Sequence, residues 1–153
     1  MARVTNLNHA VLYVSDVGRS AAFYERAFGF ELVDRLGPNA VFLKAAGGDN
    51  HHDLALMRAP RGGAYASGGV GLYHLAWEVA TIDELAEMAS VLTELEALGG
   101  MSDHGVSKSL YGHDPDGIEF EVMWRVPREA WGEYERRAVV MPLDLARERA
   151  RFG

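Results

Sequence analysis

The chain has 153 residues, of which 48% are hydrophobic, and a formal net charge of −7. This length matches one unit of usual domain size, and the apolar content is enough to build a core. Its 22 acidic and 15 basic residues disfavour nucleic acid or an anionic membrane surface as a partner, so a small molecule is expected. The absence of cysteine excludes disulfides, a thiolate nucleophile and thiolate-ligated metals, which leaves nitrogen and oxygen ligands.

The first predicted element is a strand in the segment NHAVLYVSDV. The residues up to this strand contain one arginine and only a short apolar run, interrupted by Asn8 and His9. That pattern fits neither a signal peptide nor a membrane-spanning helix. The cytoplasm is therefore the expected location.

A helix is predicted next, over about Val17 to Phe28, and Gly29 stands where a left-handed residue would end it. Three strands follow, in FELVDRL, AVFLKAA and DLALMRA. These elements form a first module of about residues 5–60. The glycine-rich segment at 60–71 is predicted to be a flexible linker.

A second module, about residues 72–125, repeats this order. Its first strand, YHLAWEVATI, again has histidine in second place, and His74 lies 65 positions after His9. A helix is predicted over about Ile82 to Leu98, ended by Gly99 and Gly100. Three strands follow in MSDHGVS, KSLYG and IEFEVMW.

The predicted fold class is α+β, with two βαβββ modules in one domain of residues 1–125. The modules are grouped because about 65 residues, with one helix on one sheet, would be marginally stable alone. Alternation along the first strand of each module gives an apolar face for the helices, formed by Ala10, Leu12 and Val14 and by Leu75, Trp77 and Val79. His9 and His74 then lie on the opposite faces and point to a shared interior.

Glu121, in the last strand, shares a strand face with Glu119 and Met123. A carboxylate in that position needs a cationic partner. Two imidazoles and one carboxylate match the ligand set of non-heme Fe(II) sites that leave coordination positions open. From the residues alone, structural histidines and an arginine partner for Glu121 remain the alternative. Glu119, nearer a turn, is expected to be solvated.

The chain resembles the vicinal oxygen chelate superfamily over about residues 5–125, through its doubled module and the segment FYERAFGFELV. The second module resembles the type I extradiol dioxygenase motif at His104, Leu110, Tyr111, Asp114, Pro115, Gly117 and Glu121. Ser102 departs from the residue usual two places before the histidine. HHDLAL, at 51–56, resembles a histidine-bearing strand beside the metal of those enzymes.

The resemblance implies a curved mixed sheet around a metal cavity and an Fe(II)-dependent, or less often Mn(II)-dependent, enzyme that opens a catechol-type ring with dioxygen. It implies that the metal ligands are His9, His74 and Glu121. Tyr111 and His104 would hydrogen-bond the diol, and His52 would be an acid and base toward the reacting oxygen. Apolar substrate contacts are expected from Val11, Leu54, Leu56, Ala76 and Met123. The alternative for His104 and Tyr111 is a surface and a packing role.

Other members of the superfamily supply competing hypotheses. Glyoxalase-like isomerases generally need a fourth ligand where this chain has Leu56, whereas fosfomycin-resistance thiol transferases use a similar His, His, Glu set. A binding protein of the bleomycin-resistance type needs no ligand set. The better known extradiol enzymes carry four modules, so this chain would be a single-pair variant. A homo-oligomer is expected, and the metal site lies within one chain or is shared across a dimer.

Residues 126–153 are predicted to form a C-terminal helical arm with interleaved basic and acidic side chains. Trp131 and Tyr134 stand at helical spacing. They are expected to pack the arm back over the paired modules or onto a second subunit.

Overall fold

The computed structural model describes residues 1–63, 65–66 and 68–153. They divide into two compact units, Met1–Ala64 and Tyr65–Gly153. Each unit is a mixed sheet with helical packing, and the order strand, helix, three strands occurs in both. The predicted α+β class with a repeated βαβββ module is therefore confirmed. No helix in the described part of the chain combines the length and the apolar character that a membrane span needs.

The first unit contains β1 (Ala10–Val14), α1 (Val17–Phe28), β2 (Glu31–Leu36), β3 (Ala40–Lys44) and β4 (Leu54–Arg58). Its strand order is β1-β4-β3-β2, with β1 and β4 parallel and the other pairs antiparallel. The helix has its predicted bounds: the Asp16 side chain accepts the Arg19 N–H at the start, and Gly29 ends it at φ 65°.

The second unit contains β5 (Leu75–Val79), α2 (Ile82–Glu94), β6 (Leu98–Asp103), β7 (Ser107–His113), β8 (Glu119–Arg125), β9 (Met141–Pro142) and α3 (Leu145–Phe152). Its strand order is β5-β8-β7-β6-β9, and β5 and β8 are parallel. The parallel pair brings the first and last strands of the module side by side, as in the first unit.

The predicted end of α2 was wrong by four residues. The helix ends at Glu94, and Leu98, Gly99 and Gly100 belong to β6. The chain reverses at Glu96, which has φ 54°, and the Ala97 N–H donates to the Leu92 carbonyl at 2.8 Å. Leu92, Leu95 and Leu98 are spaced three residues apart, as on one face of a helix, which favoured a helix through Leu98. In the structure Leu98 lies after the turn and begins β6.

The side-chain faces of the first sheet correct two predicted substrate contacts. Register aligns Leu54 with Ala10 and Leu56 with Leu12, on the face that packs against α1. Leu54 and Leu56 are both 0% exposed. They are core residues, and the prediction that they face a substrate cavity was wrong. Val11, on the opposite face, is 49% exposed.

Alternation along 51–56 would put Leu54 and Leu56 on the same side as His52, but alternation does not extend to residues that precede the strand. His52 lies before β4, where the two-residue alternation does not apply. Its ring instead contacts Phe42, which is the register partner of Ala55.

The second sheet has the predicted division of faces. Phe120, Val122 and Trp124 are buried toward the helices. Glu119, Glu121 and Met123 alternate with them, and Ala76 pairs with Glu121 across β5 and β8. This opposite face carries the polar side chains of the candidate site.

The C-terminal arm is helical only in part. It consists of two short 3₁₀ turns at Arg128–Ala130 and Gly132–Arg136, then β9 and α3. Strand β9 extends the second sheet beyond β6, and Phe152 of α3 packs on Trp124 with ring centroids 5.2 Å apart. The arm thus folds onto the second unit.

Candidate active site

His74 and Glu121 form the closest pair among the predicted ligands. His74 directly precedes β5, and Glu121 lies on the neighbouring strand β8. The His74 Nε2 and Glu121 Oε2 atoms are 3.0 Å apart, and their side chains are only 22% and 14% exposed. Two donors that bind one octahedral ion at about 2.1 Å and at right angles are about 3 Å apart, so this spacing suits a shared divalent cation.

The other side of His74 faces a second carboxylate. Its Nδ1 atom is buried and has no hydrogen-bond partner. The Glu119 Oε1 atom lies 3.5 Å away, which is within ion-pair range but is not a hydrogen bond. One imidazole therefore stands between two carboxylates, and this excess of negative charge and donor atoms fits a divalent metal.

The sequence placed Glu119 on the strand face of Glu121 but did not predict its partial burial beside His74. Glu119 was expected to be a solvated neighbour of Glu121, but its side chain is only 22% exposed. Its second oxygen lies 3.8 Å from His113 Nε2 across the β7–β8 ladder. The available signal was its two-residue spacing from Glu121, which places both carboxylates on one face.

His104 and Tyr111 are in direct contact. His104 Nε2 lies 2.8 Å from the Tyr111 hydroxyl, and His104 Nδ1 lies 2.9 Å from the Val139 carbonyl oxygen. A carbonyl can only accept, so Nδ1 carries a proton. In neutral His104 the Nε2 atom is then the acceptor, and the Tyr111 hydroxyl donates to it. The hydroxyl oxygen keeps lone pairs that can accept a proton from a ligand.

Tyr111 also interacts with a predicted metal ligand. It is the register partner of Glu121 across β7 and β8. Burial and the Glu121 carboxylate raise the pKa of the Tyr111 hydroxyl above its usual value. Tyr111 is therefore a neutral phenol at pH 7, able to donate one proton and accept another.

A cavity of about 470 Å³ opens beside these side chains. Its wall includes Tyr73, His74, Ser102, His104, Tyr111 and Val140. The volume lies in the range of small-molecule sites. Ser102 was noticed only as a departure from a motif, and Val140 lies in the distant arm, so spacing within the second module could not indicate that it lines the cavity.

His9 has its ring orientation set within the first unit. Its Nδ1 atom lies 2.8 Å from the Asn8 Oδ1 atom. Asn50 fixes the direction of that amide, because Asn50 Nδ2 lies near three oxygen acceptors and Asn50 Oδ1 accepts from Asn8 Nδ2 at 3.2 Å. The Asn8 oxygen therefore faces His9, whose Nδ1 must donate. This leaves the Nε2 lone pair of His9 available to a metal.

His52 lies against His9, with ring centroids 4.6 Å apart. Its Nδ1 atom is 3.0 Å from that of His51, so His51 contacts it although His51 is exposed. Partial burial and the neighbouring His9 and His51 rings lower the pKa of His52. His52 is therefore a neutral imidazole at pH 7 and can accept a proton.

The predicted residues thus form two groups. His9 and His52 lie together in the first unit, with Val11 on the open face of the same sheet. His74, Glu121, His104 and Tyr111 lie in the second unit, together with Ala76 and Met123. Within residues 1–63, 65–66 and 68–153, no three His, Asp or Glu side chains form a complete metal-binding group. The full ligand set remains a prediction.

A family model described as "Glyoxalase/Bleomycin resistance protein/Dioxygenase superfamily" matches residues 6–122. The chain belongs to this superfamily. The match covers both βαβββ modules and ends just after Glu121.

Two curated relatives represent different chemistries within the superfamily. Catechol-2,3-dioxygenase of Bacillus subtilis (strain 168) is 32% identical over 128 residues, which cover 83% of this chain and 44% of the relative. Metallothiol transferase FosB of Lysinibacillus sphaericus (strain C3-41) is 34% identical over 124 residues, which cover 77% of this chain and 81% of that protein. The chain spans 25% to 44% of the length of the relatives named as a metapyrocatechase or dioxygenases.

Among solved structures, a glyoxylase/bleomycin resistance protein/dioxygenase domain from Frankia sp. EAN1pec matches with a TM-score of 0.72. The identity is 20%, and the match covers 82% of this chain and 96% of that domain. This likeness shows the superfamily fold.

Proposed function

We propose that this superfamily member is an extradiol dioxygenase that opens the ring of a catechol-type diol with dioxygen. The hydrogen bond between His104 and Tyr111, one strand away from Glu121, is the observation that carries the proposal. The two side chains can hydrogen-bond the hydroxyl groups of a diol next to a candidate metal ligand. Curated relatives named as catechol dioxygenases support the same chemistry.

His9, His74 and Glu121 would hold Fe(II), or Mn(II), with nitrogen and oxygen donors suited to either ion. Bound there, the metal would act as a Lewis acid that makes the diol easier to deprotonate, and as a template for the two reactants. His9 comes from the first unit and the other two ligands from the second, within one chain or from two chains of an oligomer.

Tyr111 and His104 would take the proton of a diol hydroxyl. The hydroxyl donates to the Tyr111 oxygen while the phenol proton passes to His104 Nε2, 2.8 Å away. The positive charge that develops on His104 is stabilised because Nδ1–H donates to the Val139 carbonyl. The raised pKa of Tyr111 keeps the phenol protonated before the transfer.

His52 would handle the second proton of the reaction. Its lowered pKa leaves the ring neutral at pH 7, so it can accept a proton from the substrate and return it to an oxygen later. The ring of Phe42, 5.2 Å away, packs against its edge and limits its rotation.

The test is to load the protein anaerobically with Fe(II), add a panel of catechols in air-saturated buffer, and follow oxygen uptake with the visible absorbance of ring-opened product. We expect one molecule of dioxygen to be consumed for each molecule of diol cleaved. No uptake with any diol, from protein shown by analysis to contain iron, would overturn the proposal.

Tyr111→Phe tests the proton relay. It removes one hydroxyl, and we expect kcat to fall by about 10²- to 10⁴-fold, the usual contribution of a positioned acid or base. Tyr24→Phe is the matched control because it removes the same hydroxyl from a buried residue of helix α1 in the first unit. Equal activity of the two variants would remove Tyr111 from its proposed role.

A metal-dependent thiol transferase is the second candidate function, because the curated relative FosB, 34% identical over 124 residues, is named as one. The match covers 81% of FosB but at most 44% of the relatives named as dioxygenases or a metapyrocatechase. Metal-loaded protein should be incubated with fosfomycin and a thiol, and the adduct sought by mass spectrometry. Adduct formation without diol-dependent oxygen uptake would establish the transferase and reject the dioxygenase.

A further inference from the structure

We propose that the C-terminal arm (residues 126–153) contributes directly to the candidate site, because its Val139 carbonyl sets the tautomer of His104. What His104 then does to a substrate rests on the proposed dioxygenase function. The placement of the arm does not, because it follows from contacts within the second unit.

The first contact is the hydrogen bond at 2.9 Å between His104 Nδ1 and the Val139 oxygen. Free neutral imidazole side chains favour a proton on Nε2, whereas this carbonyl requires the proton on Nδ1. Without Val139, His104 Nε2 would carry a proton and could no longer accept one from Tyr111. The arm therefore determines whether a proton can pass from Tyr111 to His104.

A second contact holds the residue after His104. Gly105 has φ 77°, and a Cβ placed on it would overlap the Tyr134 ring. The tyrosine of the arm thus packs directly on the turn that carries His104. Val126, the first residue of the arm, donates its N–H to the Val106 carbonyl at 3.0 Å, and Trp131 Nε1 donates to the Val126 carbonyl at 2.7 Å.

Further contacts hold both sides of the same turn. Strand β9 pairs Met141 with Asp103, directly before His104. Lys108, at the other side, lies 2.5 Å from the Asp103 carboxylate and 3.4 Å from Glu148 of α3. All three charged side chains are buried. Buried charges require partners, so departure of the arm would break the buried Lys108–Glu148 ion pair beside this turn.

The arm also reaches the cavity itself. Val140, the residue after Val139, lines the cavity with His104 and Tyr111. Orientation of the acid–base histidine and closure of one cavity wall thus come from two consecutive residues.

The test weakens one carbonyl in the full chain. Replacing Val140 by its α-hydroxy acid turns the Val139–Val140 amide into an ester, whose carbonyl is a poorer acceptor. The matched control places the same hydroxy acid at Val139, which leaves the Val139 carbonyl an amide. Long-range ¹H–¹⁵N spectra of ¹⁵N-histidine protein then report the His104 tautomer in metal-free samples.

We expect His104 to be the Nδ1–H tautomer in the wild type and in the control. In the Val140 ester the ratio should move toward Nε2–H by about two- to tenfold, because the weaker acceptor forfeits up to the full effect of one ordinary hydrogen bond. An Nε2–H tautomer in the wild type, or an unchanged ratio in an ester whose backbone spectrum shows the native fold, would overturn the inference.

Kinetics separate this inference from the proposed function. With a catechol that supports oxygen uptake, the Val140 ester should lower kcat more than it changes KM, because the relay acts after binding. A tautomer shift in protein that cleaves no diol would reject the dioxygenase and leave the role of the arm established. Full turnover of the Val140 ester with no tautomer shift would overturn the proposed role of the arm.

Discussion

At the scale of single residues, both His9 and His104 are oriented through Nδ1. Asn8 accepts from one and the Val139 carbonyl from the other, so each ring presents the Nε2 lone pair. The two oxygen acceptors belong to residues that were not among the predicted site residues. Asn8 was noted in the sequence only as a break in an apolar run, and its contact with Asn50, 42 positions away, became evident only in the structure.

Asn8→Leu should weaken binding of Fe(II) or Mn(II) by about 10- to 100-fold, because His9 loses the acceptor that fixes its tautomer. Asn8→Asp keeps an oxygen at that position and should retain the wild-type affinity or exceed it. Isothermal titration of metal-free protein measures both. Equal affinity in the Leu variant would show that Asn8 does not orient a ligand.

At the scale of elements, each first strand places a histidine at its entry, and the last strand of the second unit provides Glu121. Helix α2 begins with a complete capping box, in which Thr81 accepts the Glu84 N–H and the Glu84 carboxylate accepts the Thr81 N–H. Helix beginnings followed from local hydrogen-bonding residues. The end of α2 did not, because a left-handed glutamate has no sequence signature.

The free energy of unfolding should depend on pH because of Asp103, which ends β6 beside the turn to β7. Burial opposes ionisation of Asp103, but Lys108 and the Gly105 N–H outweigh it and hold the pKa of Asp103 below its ordinary value of 3.8. Ionised Asp103 therefore stabilises the fold above pH 3.8, and this contribution is lost as pH falls through the lowered pKa.

Asp103→Asn should lower the free energy of unfolding at pH 7 by about 1–3 kcal/mol, since Lys108 and Gly105 lose a charged acceptor. The variant should also lose less stability than the wild type on acidification below pH 4. Urea unfolding across a pH series measures both effects. Parallel pH curves for the two proteins would contradict the role of this carboxylate.

At the scale of the whole molecule, the two units carry complementary parts of the proposed chemistry. The first provides His9 and His52, and the second provides His74, Glu121 and the His104–Tyr111 pair. Superfamily membership and the doubled module explain why a histidine begins each half. A metal that binds the folded chain in preference to the unfolded chain stabilises the fold.

Added Fe(II) or Mn(II) should therefore raise the free energy of unfolding, by about 2.7 kcal/mol at a free metal concentration one hundred times Kd. Anaerobic urea unfolding with and without metal measures this, and a chelator should reverse it. Glu121→Gln should lose most of the effect because it removes one anionic donor. A metal effect of the same size in that variant would exclude Glu121 from the ligand set.

The sequence by itself determined the repeated module, the bounds of α1 and the strand face that carries Glu121, because period and local capping are written in neighbouring residues. Only the tertiary structure decided that Leu54 and Leu56 belong to the core, that Glu119 reaches His74, and that the arm touches His104. These facts depend on register between strands and on contacts between distant segments. Neither leaves a trace in the spacing of residues along one strand.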